Sequence, residues 1–189
     1  VYTALTAKGA KKAKAPARKP GKPAADDKTV YKIPAGTSYA KGGKEPLVTI
    51  IEFSEFQCPF CTRAGKTLSQ IEKTYGDKVS IVFKHNPLPF HKDAPGAAKA
   101  ALAAGEQGKF WEMHDLLFTD TKKLKPENIT GYAQKLGLDM TKFDKDIKDP
   151  KMDAAIKADQ KLGQTFGARG TPHFFVNGRR LAGAQPFPN

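Results

Sequence analysis

The chain has 189 residues and a formal net charge of +13, from 32 Lys and Arg against 19 Asp and Glu. This length suits one domain with an insertion and is too short for two full-sized domains. No run of about 18 apolar residues is present, so no transmembrane segment is predicted. Two cysteines are too few for a disulfide-rich scaffold or an all-cysteine zinc site.

The excess positive charge is concentrated at the start of the chain, where residues 1–32 hold nine basic and two acidic side chains. Residues 8–28 contain no aliphatic side chain larger than Ala and no aromatic ring. Such a segment buries too little apolar surface to offset the entropy of ordering it. We therefore predict a basic, largely disordered tail or linker over residues 1–45. Nucleic-acid binding through this tail is an alternative, but no aromatic rings are interleaved for base stacking, and no specific nucleic acid is predicted as a partner.

The first regular elements predict a strand, a helix and a strand. Residues 47–53 are an apolar, β-branched run typical of a buried strand. A helix is expected to begin close to Cys58, because Pro59 is tolerated in a first helical turn, and to end at Gly76. A second buried strand follows at 79–83. Elements of these lengths form a βαβ unit with a parallel strand pair and a right-handed crossover.

The following part of the chain changes to helical patterns. Amphipathic segments separated by Gly and Pro predict an all-helical insertion at about 90–150, and one more amphipathic segment follows at 151–166. Residues 171–176 return to a strand pattern. Asn177-Gly178 is a strong hairpin signal, with a partner strand at 179–182. The predicted fold class is therefore α/β, a β-α-β unit and a β-hairpin with an inserted all-helical subdomain.

The folded domain is predicted to span residues 46–189, and its final hairpin lacks the helix that would cover the exposed face. We expect that C-terminal helix to be missing from this chain. Residues 1–8 have the pattern of a helix end, which suggests a segment of a longer, tandem-domain chain. The alternative is that residues 1–8 themselves cover the open sheet.

The two cysteines carry the chemistry that the sequence predicts. At a helix start, the i, i+3 spacing of Cys58 and Cys61 brings their Cα atoms to about 5–6 Å, within reach of a disulfide. Free backbone N–H groups and the helix dipole stabilise a thiolate there. Cys58 is thus predicted to be the accessible attacking thiolate and Cys61 the less exposed resolving thiol. No metal and no cofactor beyond a redox-active Cys58–Cys61 disulfide is predicted. A zinc site and an inert structural disulfide are the alternatives.

These residues, taken together, resemble the DsbA-like thiol–disulfide oxidoreductases, which have a thioredoxin fold with an inserted helical domain. The resemblance covers roughly residues 30–187. It lies in the helical insertion and in four motifs: Phe53-Ser54-Glu55-Phe56-Gln57-Cys58-Pro59-Phe60-Cys61, Pro87-Leu88-Pro89-Phe90-His91, Gly108-Lys109-Phe110-Trp111 and Thr171-Pro172-His173-Phe174-Phe175-Val176-Asn177-Gly178.

The resemblance implies roles for the residues around the two cysteines. Cys58 would be the nucleophile and Cys61 the resolving cysteine. Pro172 would be a cis-proline facing the pair, whereas the sequence by itself favours an ordinary trans proline at a strand start. Thr171 would offer its backbone to an extended substrate peptide. Between the cysteines, Pro59-Phe60 differs from the Pro-His of the strongest oxidases, which leaves the oxidising strength open.

Glu52 lies in an otherwise apolar strand, six residues before Cys58. A buried acid near this place in the thioredoxin fold assists proton transfer to and from the resolving cysteine. The alternative is that Glu52 reaches solvent at the strand end. Lys84 ends the next strand and is a candidate partner for Glu52, unless that end is solvated.

The predicted function is an extracytoplasmic protein thiol–disulfide oxidoreductase, in a bacterial periplasm, where disulfides persist. Its partners would be cysteine-containing protein substrates and a redox partner that regenerates the pair. A disulfide isomerase or reductase is the first alternative, because the reduction potential sets the direction and spacing does not fix it. A non-catalytic peptide-binding thioredoxin-like module is the second.

Overall fold

The computed structural model describes residues 29–187, which form a five-stranded mixed sheet and six α-helices. The predicted α/β fold is confirmed. The strands are β1 Ala40–Gly42, β2 Val48–Ser54, β3 Val79–His85, β4 His173–Val176 and β5 Arg179–Ala182. The helices are α1 Pro59–Tyr75, α2 Ala94–Gly105, α3 Phe110–Thr119, α4 Pro126–Lys135, α5 Met140–Asp146 and α6 Pro150–Thr165, with a 3-10 turn at Gly76–Lys78.

The sheet has the strand order β1-β3-β2-β4-β5. The central strands β2 and β3 are parallel, and Glu52 lies opposite Phe83 in their register. The strands β4 and β1 pair antiparallel with β2 and β3, respectively. Because consecutive side chains of a strand alternate between faces, β2 presents Ile50 to one face and Ile51 to the other. The first packs with Leu68 of α1, and the second packs on the side that receives Leu162 of α6.

The helical insertion is longer than predicted. Five helices, α2 to α6, lie between β3 and β4, so the insertion continues past residue 150 to Thr165. The helix α6 packs against both α2 and β3. It therefore belongs to the helical insertion and also covers one face of the sheet. No helix within residues 29–187 has the length and apolar character needed to cross a membrane.

The folded part begins before the predicted boundary at residue 46. The short strand β1 pairs with β3, and Tyr39 stacks on Phe110 with ring centroids 4.1 Å apart. The Tyr31 N–H donates to the Gly178 carbonyl oxygen at 2.9 Å. Residues 29–45 are therefore attached to the domain, in contrast to the predicted tail over 1–45. The predictions for residues 1–28, including the helix end at 1–8, fall outside the described residues.

The predicted hairpin turn has the backbone that its sequence requires. Asn177 and Gly178 have φ values of 45° and 80°, as in the type I′ turns that suit strand twist. The Asn177 side chain accepts from the Thr49 N–H at 2.8 Å and donates to the Leu47 carbonyl oxygen at 3.1 Å. A Cβ at Gly178 would lie 2.4 Å from the Tyr31 carbonyl oxygen, so glycine is required. This turn ties the hairpin to the start of β2.

Candidate active site

Cys58 is the N-cap residue of α1, with Pro59 at the first helical position. Its extended backbone (φ −80°, ψ 118°) directs its carbonyl oxygen to the N–H groups of Cys61 and Thr62 at 3.0 and 3.2 Å. Both cysteines are free thiols. Cys58 is 3% exposed and Cys61 is fully buried, while Phe60 between them is 54% exposed. Cys58 is thus less exposed than expected of an accessible nucleophile, although it is the more exposed of the pair.

The two thiols have opposite ionisation behaviour. The pKa of Cys58 is lowered to about 5, chiefly by the hydrogen bond from the Cys61 thiol, and also by Thr171 and the backbone N–H groups of Cys61 and Phe60. Burial opposes this effect. Burial raises the pKa of Cys61 far above its usual range, and the neighbouring Cys58 raises it further. The site therefore holds one stable thiolate next to one protonated thiol.

Thr171 contacts Cys58, and Pro172 follows it through a cis peptide bond. The Cys58 Sγ lies 3.6 Å from the Thr171 carbonyl oxygen, and the Thr171–Pro172 peptide bond is cis. The Thr171 hydroxyl is buried without a hydrogen-bond partner among the described residues, so it is free to donate to a thiolate. Pro172 is buried and immediately precedes β4, which pairs with β2, the strand leading to Cys58.

Glu52 is 2% exposed, so the alternative that it reaches solvent at the strand end is wrong. Burial raises its pKa to about 7, while Ser54 and the charge of Lys41 act in the opposite direction. Glu52 lines a cavity of about 210 Å³, whose wall also includes Lys41 of β1 and Trp111 of α3. It is therefore a buried acid that titrates near neutrality beside a cavity.

Both expectations for Lys84 are wrong: it does not pair with Glu52, and at 4% exposed it is not solvated. Lys84 follows Phe83, which is the residue opposite Glu52 in the sheet register, so its side chain is on the other face of the sheet. There its Nζ lies 3.1 Å from the Asp159 Oδ1 atom of α6 and donates to the Ala35 carbonyl oxygen at 2.8 Å. Lys84 thus joins β3 to α6 and to the segment before β1.

Three residues of the site were missed in the sequence. Ser54 follows Glu52 by two positions, and its hydroxyl lowers the pKa of both Glu52 and Cys61. The alternation of β2 contained a signal for Ser54, since residues two apart share a face. Glu55 and His91 form a side-chain pair at the turn before Cys58. No local pattern relates two residues that lie 36 positions apart.

The histidines do not assemble a metal site in the described part of the chain. No group of three or more His, Cys, Asp or Glu side chains that could hold a metal ion occurs within residues 29–187. Burial lowers the pKa of His85 to about 3. The pKa of His173, which follows Pro172, is lowered to about 4 by burial and by the charge of Arg180. These two imidazoles are neutral at physiological pH.

Comparison with known protein families gives the relationship directly. The profile described as "DSBA-like thioredoxin domain" matches residues 49–189. The chain belongs to this family. A thioredoxin-like oxidoreductase from Silicibacter pomeroyi DSS-3 is 30% identical and superposes with a TM-score of 0.72 over 78% of this chain and 84% of that chain.

Two more distant solved structures share the DSBA-like fold. The thiol-disulfide exchange protein alpha-DsbA2 from Wolbachia pipientis is 23% identical, with a TM-score of 0.72 over 79% of this chain and 81% of that chain. A periplasmic thioredoxin-like protein from Salmonella enterica serovar Typhimurium is 24% identical, with a TM-score of 0.68 over 79% of this chain and 83% of that chain. Likeness at this level of identity shows the fold alone.

Curated relatives of the chain are much longer proteins. The Na(+)/H(+) antiporter NhaA 1 of Salinispora arenicola is 38% identical over 147 residues, which are 77% of this chain and 22% of the antiporter. The Na(+)/H(+) antiporter NhaA of Herminiimonas arsenicoxydans is 36% identical over 146 residues, 77% of this chain and 23% of that protein. The chain therefore spans about a fifth of the length of these relatives, and the likeness is to one segment of them.

Proposed function

We propose that this chain is an extracytoplasmic protein thiol–disulfide oxidoreductase that exchanges a Cys58–Cys61 disulfide with cysteines of substrate proteins. The observation that carries the proposal is the asymmetric pair: Cys58 is held as a thiolate, with a pKa of about 5, against the buried and protonated Cys61. A low pKa makes Cys58 a good leaving group and stabilises the reduced pair, which favours oxidation of the substrate.

The exchange proceeds in two displacements. A substrate thiolate attacks the Cys58 Sγ atom of the oxidised pair, the Cys58–Cys61 bond breaks, and Cys61 leaves as a thiolate. A second substrate thiolate then attacks the substrate sulfur of the mixed disulfide, and Cys58 leaves with the electron pair. The substrate dithiol loses two electrons and two protons, and the Cys58–Cys61 pair gains the electrons. A redox partner that accepts two electrons must regenerate the disulfide.

Glu52 supplies the proton that the leaving Cys61 requires. Since burial strongly disfavours a Cys61 thiolate, its departure has to be coupled to protonation. Glu52 has a pKa of about 7 and is therefore partly protonated at neutral pH. The Ser54 hydroxyl is buried without a hydrogen bond to another described residue and affects the pKa of both groups. The Ser54 hydroxyl relays the proton from Glu52 to Cys61, and Glu52 regains a proton from water in the adjacent cavity.

The backbone of Thr171 and Pro172 forms the surface along which a substrate peptide lies. The Thr171 carbonyl oxygen contacts the reactive sulfur, so a peptide that places its cysteine at Cys58 passes next to this backbone. The exposed ring of Phe60 offers the peptide an apolar contact. Membership in the DSBA-like family and the persistence of disulfides outside the cytoplasm support extracytoplasmic, periplasmic action.

Trapping of the mixed disulfide tests the reaction. With Cys61→Ser, the Cys58 thiolate attacks a disulfide of an oxidised substrate and displaces one substrate thiolate. No Cys61 thiol is left to release the resulting mixed disulfide, so the substrate should remain covalently attached. Cys58→Ser is the matched control and should trap nothing. Because the chain has no other cysteine, the assignment is unambiguous. Equal trapping by the two variants, or by neither, would contradict the proposed function.

The equilibrium with glutathione distinguishes an oxidase from an isomerase or a reductase. A thiolate as stable as that of Cys58 should keep the pair reduced at glutathione ratios that oxidise thioredoxin-like reductases. A pair that is oxidised as readily as those reductases would instead support the reductase direction. Rates of disulfide formation in a reduced peptide and of insulin reduction then show which direction the protein catalyses faster.

A further inference from the structure

A contact between a buried carboxylate and a partly exposed histidine lies immediately before the reactive cysteine. Glu55 is 1% exposed, and its Oε1 atom binds Nδ1 of His91 in the loop that precedes α2. Its Oε2 atom accepts the backbone N–H of Gln57 at 2.7 Å. Because Gln57 is the neighbour of Cys58, the carboxylate holds the turn from which the cysteine enters α1.

The Gln57 side chain makes a second connection between the same two segments. Its Oε1 atom accepts the Asp93 N–H at 2.9 Å, and its Nε2 donates to the Asp93 Oδ2 atom at 3.4 Å. Asp93 is the N-cap residue of α2. The turn before Cys58 is therefore bound to the start of the helical insertion through two residue pairs, Glu55 with His91 and Gln57 with Asp93.

A negative charge on Glu55 would destabilise the nearby Cys58 thiolate. The pKa of Glu55 is raised by burial first and also by the negative charge of Cys58, while hydrogen bonds from Gln57 and His91 lower it. By the same interaction, a Glu55 carboxylate disfavours the Cys58 thiolate. Other charged groups near this turn include Asp93, the exposed Lys92 next to His91, and Arg63 of α1. The Arg63 guanidinium lies 5.0 Å from the centre of the Phe60 ring. The side chain that binds the Glu55 carboxylate directly is that of His91.

We propose that His91 is a positioning residue for the redox pair, whose positive charge neutralises Glu55 and thereby preserves the Cys58 thiolate. The inference rests on the proposed reaction at Cys58. It also gives a physical reason why a phenylalanine is tolerated at position 60: the positive charge that a histidine between the cysteines would supply comes instead from the loop before α2. The His91 side chain is 21% exposed.

The test separates the charge of His91 from its hydrogen bond. His91→Asn keeps a neutral N–H donor near the position of Nδ1, and Glu55→Gln keeps an acceptor for the Gln57 N–H while removing the carboxylate charge. Lys92→Asn is the control, because it removes a positive charge from the adjacent exposed residue. For the wild type, the three single variants and the His91→Asn/Glu55→Gln double variant, the Cys58 thiolate is titrated by absorbance at 240 nm and by the pH dependence of alkylation.

His91→Asn should raise the Cys58 pKa by about 1 unit, which lowers the alkylation rate near pH 5 several-fold. Lys92→Asn should change neither quantity measurably. The double variant should return the thiolate pKa to that of Glu55→Gln, because no carboxylate charge is left to neutralise. A simple packing defect would not be rescued in this way.

Two results would overturn the inference: an unchanged Cys58 pKa in His91→Asn, or a double variant that keeps the full rise of His91→Asn. Failure of the proposed function looks different. In that case the wild-type Cys58 titrates at or above neutrality, or Cys61→Ser traps no substrate, whatever the His91 variants do.

Discussion

The Cys58 Sγ atom and the Thr171 carbonyl oxygen lie 3.6 Å apart, although the two residues are 113 positions apart in the chain. The contact exists because β4 runs antiparallel to β2. The residues that precede β4 therefore lie beside the end of β2, from which the chain continues into α1. A protonated Cys58 thiol donates to this carbonyl, but a thiolate has no proton to donate. The thiolate accepts from the Cys61 thiol and from the backbone N–H groups of Cys61 and Phe60, and the Thr171 side chain lowers its pKa as well. The Thr171 hydroxyl is buried without another partner among the described residues.

Removal of the Thr171 hydroxyl should therefore weaken the thiolate. Thr171→Val preserves shape and removes the donor, so the pKa of Cys58 should rise by about 1 unit, since a hydrogen bond to a charged group is worth about 1.5–3 kcal/mol. Thr171→Ser keeps the hydroxyl and should retain the wild-type value. The measurement is the absorbance titration of the reduced protein at 240 nm. A Thr171→Val protein with an unchanged titration would show that the hydroxyl does not bind the thiolate.

Burial of Glu52 should make stability depend on pH. In the unfolded chain this carboxyl ionises near pH 4.5, but in the folded protein it keeps its proton up to about pH 7. The folded state therefore binds more protons across this window, and its stability falls as the pH rises from 4.5 to 7. Glu52→Gln has no such loss. Its free energy of unfolding minus that of the wild type should therefore increase by about 3 kcal/mol between pH 4 and pH 8.

Urea unfolding of the two reduced proteins at several pH values measures this difference. Glu45→Gln is the control, because Glu45 is exposed, and its difference from the wild type should not change with pH. A constant gap between Glu52→Gln and the wild type would mean that Glu52 ionises normally in the folded state. The same variant should also slow the displacement in which a substrate thiolate attacks Cys58 and Cys61 leaves, because the proton donor for Cys61 is lost.

The local part of the site could be predicted from the sequence. Cys58 and Cys61 are three residues apart, and Pro59 marks a helix start, so the geometry of the pair follows from the periodicity of one helix. Glu52 was recognisable because one acid interrupts an apolar strand. Its burial does not follow from the strand pattern, because a strand end is exposed or covered according to the helices that pack near it. Here α1 and α3 line the cavity beside Glu52.

The features that sequence reasoning missed depend on strand register and on segments that are distant in the chain. The assignment of Lys84 to Glu52 failed because one residue of register moves a side chain to the opposite face of a sheet. The Glu55–His91 pair and β1 gave no periodic signal, since β1 has three residues and its stability comes from pairing with β3. Hydrophobic patterns report burial, but they do not report which buried polar groups meet.

The buried pair of Lys84 and Asp159 should be strongly coupled. Their side chains are 5% and 12% exposed, and Asp159 also accepts the His85 N–H at 2.9 Å. Lys84→Met leaves a buried carboxylate without its cation and should lower the free energy of unfolding by about 3–5 kcal/mol. Asp159→Asn should also be costly, and the double variant should lose much less than the sum of the two.

The half-exposed pair of Lys99 and Asp153 provides the comparison for this cycle. Their side chains are 28% and 49% exposed at a separation of 2.9 Å, so Lys99→Met should change stability by no more than about 1 kcal/mol. The unfolding free energies come from urea titration at pH 7. Additive effects of the Lys84 and Asp159 variants, or a Lys84→Met loss as small as that of Lys99→Met, would contradict the expected coupling.

The N-terminal boundary of the domain can be located by truncation. A protein that begins at Thr29 should unfold within about 0.5 kcal/mol of the 189-residue chain, because residues 1–28 are predicted to bury little apolar surface. A protein that begins at Pro46 loses β1, the stacking of Tyr39 on Phe110 and the Ala35 carbonyl that binds Lys84. Its free energy of unfolding should fall by at least about 3 kcal/mol, the scale of deleting one large buried aromatic side chain.

Tyr39→Ala in the 189-residue chain isolates the largest apolar contact of this segment and should account for a major share of the loss. A protein from Pro46 that is as stable as the 189-residue chain would place the boundary where the sequence pattern put it. A loss on removal of residues 1–28 alone would mean that this basic segment also binds the domain. In that case the loss should shrink with added salt, because contacts made by its lysines are screened over about 10 Å at 0.1 M ionic strength.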